Sequence, residues 1–159
     1  MNAHQRALVK STFEQMRPIP KGTGLKFYSR LFELDPALRP LFGDNLENQS
    51  AMFVTVLQGA VLGLVEEGFV PAGVRELGGR HERYRVEEPF YATFGEALLW
   101  TLGQLLGERF TPEVREAWSD AYEPIAAAMK QSDAEARKAR AAGKRGGPVF
   151  SDPPRPALP

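Results

Sequence analysis

Apolar residues recur at helical spacing through nearly the whole chain, and no useful stretch alternates with the period of two that a strand needs. Val9, Phe13 and Met16 stand at i, i+4 and i+7. Past the Pro18-Ile19-Pro20 and Gly22/Gly24 punctuation, Leu25, Phe27, Tyr28, Leu31 and Phe32 predict a second helix. Asp35-Pro36 joins a capping side chain to a proline at a first helical position, and opens a short turn ending at Phe42-Gly43. From Gln49 onward, Phe53, Val56, Ala60 and Gly63 share one stripe. Leu77, His81 and Tyr84 share a face, although Gly78 and Gly79 weaken regular helix there. Glu87-Glu88-Pro89 and Thr111-Pro112-Glu113 are two further start signals. The first leads into Tyr91, Phe94, Leu98, Thr101 and Leu105, the second into Val114, Trp118, Ala121, Tyr122, Ile125 and Met129. Pro124 is expected to kink that last helix. The pattern predicts an all-α domain of about seven helices.

The helical domain is expected over residues 1–133. Residues 134–159 are charged and then Gly- and Pro-rich (Gly146-Gly147-Pro148, Pro153-Pro154), so they are expected to form a disordered tail. Its basic run from Arg137 to Arg145 is, on general grounds, a solvated face.

Twenty basic and twenty acidic residues cancel, which gives no electrostatic reason to expect nucleic acid or an anionic membrane as a partner. With no cysteine, disulfides, thiolate catalysis and Cys-ligated zinc or iron–sulfur centres all drop out. The N-terminus lacks a signal-peptide core and no run approaches the ~18 apolar residues of a membrane span, so a cytoplasmic protein is expected. Glu66-Glu67 and Glu87-Glu88 are adjacent in sequence and diverge on a helix, which argues against paired-carboxylate chemistry.

There are two histidines, and His4 sits at the N-terminal end. If nitrogen holds a metal here, His81 in Leu77-Gly-Gly-Arg80-His81-Glu-Arg-Tyr84-Arg-Val86 is nearly the sole candidate. Taken alone, a single histidine on an amphipathic helix is more often a hydrogen-bonded core residue than a ligand.

The order of motifs changes that balance. Phe27-Tyr28-Ser-Arg-Leu31-Phe32, Asp35-Pro36-Ala-Leu-Arg-Pro40-Leu41-Phe42, Gln49 to Val61, Arg80 to Val86, Tyr91 to Leu99, and Ala117-Trp118-Ser-Asp-Ala-Tyr122 together resemble the globin family. The likeness covers about residues 5–130 and is strongest to single-domain bacterial haemoglobins, the globin part of flavohaemoglobins, and neuroglobin. It implies a three-over-three helical sandwich around one b-type haem. His81 matches the proximal ligand to iron. Phe42 matches the phenylalanine on the porphyrin face, and Leu77, Val86, Tyr91, Phe94, Ile125 and Met129 match wall positions. Arg80 matches a position within reach of a haem propionate.

On the distal side, Tyr28 matches a position that points at the sixth coordination site. Counting back from Gly59-Ala60-Val61 puts Gln49 at the distal position and Phe53 one turn on, while a slip of one residue would put Asn48 and Met52 there. A phenol and a carboxamide both donate hydrogen bonds. Each such bond to a partly charged gas ligand is worth about 1.5–3 kcal/mol, which implies tight dioxygen binding with slow release. Phe53 is bulkier than the usual aliphatic residue and is expected to slow ligand entry. With no second central histidine, the ferrous iron is expected to be five-coordinate.

The resemblance implies binding of dioxygen, CO and NO. It carries a second reading, a nitric-oxide dioxygenase served by a separate reductase, since no Gly-rich dinucleotide fingerprint occurs. In the bacterial family a tyrosine and an acid on the proximal side make the histidine more electron-donating. Tyr91 matches the tyrosine, and Asp133 lies near the acid position but is shorter and expected close to a fraying helix end. A monomer or weak homodimer is expected.

Overall fold

Local signals set where each helix starts. The computed structural model describes residues 1–67 and 88–143, with five α-helices, two 3-10 segments and one π turn among them. Helix α1 (Ala3–Gln15) opens with a reciprocal cap: the Asn2 side chain accepts from the Gln5 backbone at 2.9 Å, and the Gln5 side chain accepts from the Asn2 backbone at 2.8 Å. Gly22, at φ +91°, turns the chain into α2 (Thr23–Leu34) in a conformation that favours glycine. The Asp35 carboxylate caps the 3-10 segment Pro36–Leu41 through the Ala37 backbone at 3.1 Å. The Asn45 side chain caps α3 (Leu46–Leu62) through the Asn48 backbone at 3.1 Å, and a π turn, Gly63–Glu67, continues it. Helix α4 spans Glu88–Leu106, followed by the 3-10 segment Gly107–Arg109. Helix α5 (Pro112–Ala141) carries both expected start signals, the Thr111 hydroxyl accepting from the Val114 backbone and Pro112 in the first turn.

Two sequence expectations need correction. The tail does not begin at residue 134, because α5 runs on to Ala141; from 134 onward it is held by its own backbone bonds and charged side chains, as its mostly exposed residues show. Residues 144–159 lie outside the described residues. Leu46–Val65 is also long and apolar enough to cross a membrane, with a mean hydropathy of 1.3. Its polar residues, Glu47, Asn48, Gln49, Ser50, Thr55 and Gln58, are all uncharged except Glu47, so they break the apolar run without lowering its mean much. The helix has a protein partner all the same: Ser50, Phe53, Leu57, Ala60 and Val61 are buried against the other helices.

Helix α2 packs on both α3 and α4, while α1 lies on α5 and α4 meets α5. The α1–α5 contact is pinned by the buried Trp118 indole, which donates to the Thr12 hydroxyl at 3.0 Å. Thr12 in turn donates to the Leu8 carbonyl, so neither polar group is left unsatisfied. The α2–α3 crossing is closer still. A Cβ built on Gly24 would lie 2.6 Å from Ser50 Cα, so only glycine allows that approach.

Gly24→Ala therefore forces the two helices apart and costs about 1–3 kcal/mol by overpacking. Gly59→Ala, with nothing within 4 Å of its added methyl, gains about 0.5–1 kcal/mol of helix stability. Urea unfolding of both variants checks the opposite signs.

Candidate functional site

The tight α2–α3 crossing brings aromatic rings together. The Phe27 ring stacks on Phe53 with centroids 4.1 Å apart and planes 9° from parallel, and Phe94 of α4 meets Phe27 edge-on at 4.7 Å. Tyr28 projects beside them, against Phe42 at 5.1 Å, Phe32 at 6.0 Å and Phe53 at 6.2 Å. Phe42 reaches the cluster because the capped Pro36–Leu41 segment turns the chain back, and Arg39 fixes the corner by donating to the Phe42 carbonyl at 2.9 Å. The result is an aromatic wall drawn from three helices and one corner.

Tyr28 is the polar exception in that wall. It is 6% exposed, and its hydroxyl has no hydrogen-bond partner among the described residues. A core tyrosine bonded to a backbone carbonyl would show one, as Tyr122 does. Burial pushes the Tyr28 phenol up to about 12, so it stays a protonated donor at neutral pH. Phe53 is 8% exposed and faces this wall, whereas Met52 is 46% exposed and Asn48 lies on the exposed side near the helix start. Gln49 is half-buried. The side of α3 that turns inward is thus the side of Gln49 and Phe53.

A second cluster lies at the start of α4. Gly95 lets the Tyr122 ring lie against that helix: a Cβ there would sit 2.6 Å from Tyr122 Cε1. The Tyr122 hydroxyl then donates to the Tyr91 carbonyl at 2.8 Å. Tyr91 is buried, and the Lys130 ammonium stands 5.6 Å from its ring centroid. Asp133 is no exposed helix-end residue, as its position had implied; α5 extends two turns past it, and it is 7% exposed. Its Oδ2 pairs with Arg137 at 3.0 Å, and its Oδ1 is buried without a partner among the described residues. Burial and then the Asp133 charge push the Tyr91 phenol up to about 12, against the opposing pull of Arg137. Burial, followed by the neighbouring Tyr91, also raises Tyr122.

Phe42, Phe94 and Ile125 are half-buried, and Met129 is buried. Leu77, Arg80, His81 and Val86 lie outside the described residues. Sequence reasoning missed Phe27, the centre of the aromatic wall, and Arg137 with Lys130 beside Tyr91. The i,i+4 spacing of Asp133 and Arg137 on one helix was the available signal for the last pair.

A family model described as "Globin" matches residues 25–129. Among similar proteins, one from Oryza sativa subsp. japonica, named an anaerobic nitrite reductase, is 32% identical over 135 residues, covering 80% of this chain and 92% of its own length. Two others bear the same description. The one from Solanum lycopersicum is 31% identical over 79% of this chain and 90% of its own, and the one from Arabidopsis thaliana is 35% identical over 79% and 89%.

The raised phenols have a consequence for alkaline stability. An acid whose folded-state value is raised contributes stability that is intact below its unfolded value of 10.0, and that contribution is lost as pH climbs toward 12. Ultraviolet difference titration is expected to show fewer phenols ionising near pH 10 in the native than in the unfolded protein. Tyr28→Phe should shrink the high-pH step and leave the one near pH 10 unchanged. Equal titration of all phenols near 10 in the native state would contradict the assignment.

Proposed function

Because the chain belongs to the globin family, we propose that it holds one b-type haem through His81 and binds diatomic gases on the opposite face, dioxygen first among them. The observation that carries this reading is Tyr28, a residue 6% exposed inside an aromatic wall whose hydroxyl has no hydrogen-bond partner among the described residues. The residues present fit the group. Phe42, Phe53, Phe94 and Met129 offer the apolar contacts a porphyrin needs, and Tyr28 with Gln49 offers polar tips on one side. Among the described residues no three His, Asp or Glu side chains converge, so nothing there would hold a bare ion.

When bound, the haem supplies a ferrous iron that takes a gas ligand or gives up an electron. The chain's own part is electrostatic. Tyr28 donates a hydrogen bond to the ligand from a low-dielectric site; a phenol is protonated at neutral pH, and burial moves its ionisation further away, to about 12. Gln49 supplies a second, more mobile donor from its half-buried position. Phe53 stacks on Phe27 and cannot swing aside cheaply, so it narrows the path to the ligand site. By sequence likeness, Tyr91 matches the proximal tyrosine of the bacterial members of the family, and Asp133 lies near the position of their acid. Gas binding of this kind suits a soluble cytoplasmic protein, monomeric or weakly dimeric, with an external reductase.

The relatives' names favour a second reading, reduction of nitrite to nitric oxide, in which one electron and two protons are consumed and water leaves. The same Tyr28 donor would steady the nitrite oxygen that is lost. The dioxygenase reading shares these distal residues and, like nitrite reduction, would need an external electron donor after each turnover.

Stopped-flow dioxygen dissociation from the haem-loaded protein separates these possibilities. Tyr28→Phe is expected to speed release about tenfold to a hundredfold, and Gln49→Leu about tenfold. Release unchanged in both variants would overturn the distal assignment. If Tyr28→Phe instead leaves dioxygen release unaltered and slows anaerobic nitric oxide formation from nitrite, the nitrite reading replaces the first.

A further inference from the structure

Helix α5 outruns the core that holds it. Its buried residues end at Asp133, and none of residues 134–141 is buried although the helix runs on to Ala141. A helix end without a buried face is completed by side-chain pairs, by water or by another chain. Away from the core, Glu116, Asp120, Glu123, Ala127, Ala134 and Lys138 stand at i, i+4, i+7, i+11, i+18 and i+22, which keeps them on one stripe. Asp120 is half-buried and the other five are exposed. The stripe is acidic at one end, uncharged in the middle and basic at the other. Asp120 accepts from Gln5, and Glu113 beside the stripe pairs with His4 at 2.8 Å, so its acidic half looks along α1. A groove of about 500 Å³ lies against the middle of the stripe, where α5, α1 and the π turn meet. Leu64, Pro124 and Ala127 supply its apolar lining, and two carboxylates, Asp120 and Glu123, stand there against one guanidinium, Arg6.

The charges on this stripe are placed symmetrically. Glu116 lies eleven residues before Ala127 and Lys138 eleven after it, about 16 Å of helix in each direction. We propose that two copies of this chain associate through α5, antiparallel and two-fold symmetric about Ala127, with the stripe of each copy set into the groove of the other. In that register Lys138 of one copy meets Glu116 of its partner, and the symmetry makes the exchange twice. Gln131 and Ala134, both uncharged, fall opposite Glu123 and Asp120, and the small Ala127 side chains at the crossing let the helix axes approach. A partner bearing one sign of charge would meet its like at one end of the stripe. An element with the reverse order of charges answers both ends, and this same helix run antiparallel is such an element. The contact is a single helix pair, at the small end of specific interfaces, so association is weak, with Kd on the order of 100 μM. No residue of the gas site takes part, so the pairing stands or falls apart from the haem reading.

The test is sedimentation equilibrium of the full chain at concentrations bracketing that value, for wild type, Glu116→Lys, Lys138→Glu and the double variant Glu116→Lys/Lys138→Glu. Wild type is expected to dimerise, and to do so less at high salt, where exposed charge pairs are screened. Each single variant sets like charges against each other at both ends of the contact and is expected to weaken pairing about tenfold or more. The decisive sample is an equimolar mixture of the two single variants. One copy then presents two cations and the other two anions, so the mixed pair regains both attractions and associates about as tightly as wild type. The double variant, with both charges exchanged, does the same on its own. A helix end merely loosened by the reversed charge in Lys138→Glu would gain nothing from mixing. Restored pairing in the mixture supports the proposed register. A wild type that stays monomeric throughout, a dimer that both single variants leave unchanged, or weakened variants that mixing fails to restore would each overturn it.

Discussion

At Gly24 the second helix comes so near the third that a single methyl group would strike the backbone of Ser50 at 2.6 Å, and everything inward of that crossing depends on the approach. With the axes this close, Phe27 on one helix and Phe53 on the other stack face to face at 4.1 Å. Tyr28, the next residue, is carried past the stack to meet Phe42 from the corner. A larger residue at position 24 would separate the helices and open a gap in the ring contacts. Dispersion weakens steeply over even an ångström of such separation. The crossing thus turns one missing side chain into a site.

The same economy governs the other side. Gly95 admits the Tyr122 ring against α4, and Tyr122 repays the space by binding the Tyr91 carbonyl. Tyr91 then stands over α5 between Asp133 and Lys130, with Arg137 closing the set from outside. The two halves differ in chemistry. The α2–α3 half is aromatic, with one phenol that has no hydrogen-bond partner among the described residues. The α4–α5 half is charged and compensated, with Asp133 paired to Arg137 and Lys130 over the Tyr91 ring.

Much of the helical order could be read from residues. Asp35-Pro36 and Thr111-Pro112 carry their caps in the sequence, and the stripes through Val9 and Phe13 or Val114 and Trp118 are buried as their spacing requires. The side of α3 could be read less surely, because Gln49/Phe53 and Asn48/Met52 both mix one polar and one apolar residue. Packing against Phe27 separates them, and periodicity contains no information about that partner. Asp133 was misjudged for a related reason: fading apolar character marks the end of a core face, whereas helix can continue on backbone hydrogen bonds alone for two more turns. The membrane-like hydropathy of Leu46–Val65 shows the converse, since a buried core helix and a lipid-facing one have the same composition and differ only in neighbours. Leu77, Arg80, His81 and Val86 fall outside the described residues, so their roles rest on the order of motifs.

The account stands on the histidine as the anchor for iron. Haem titration of the full chain, with the reduced spectrum recorded for wild type and for His81→Gly with and without added imidazole, tests that most directly. The expected result is stoichiometric uptake with a five-coordinate ferrous spectrum, lost in His81→Gly and restored when imidazole fills the space left by the side chain. Wild-type spectra from His81→Gly without imidazole, or a six-coordinate ferrous wild type, would contradict it.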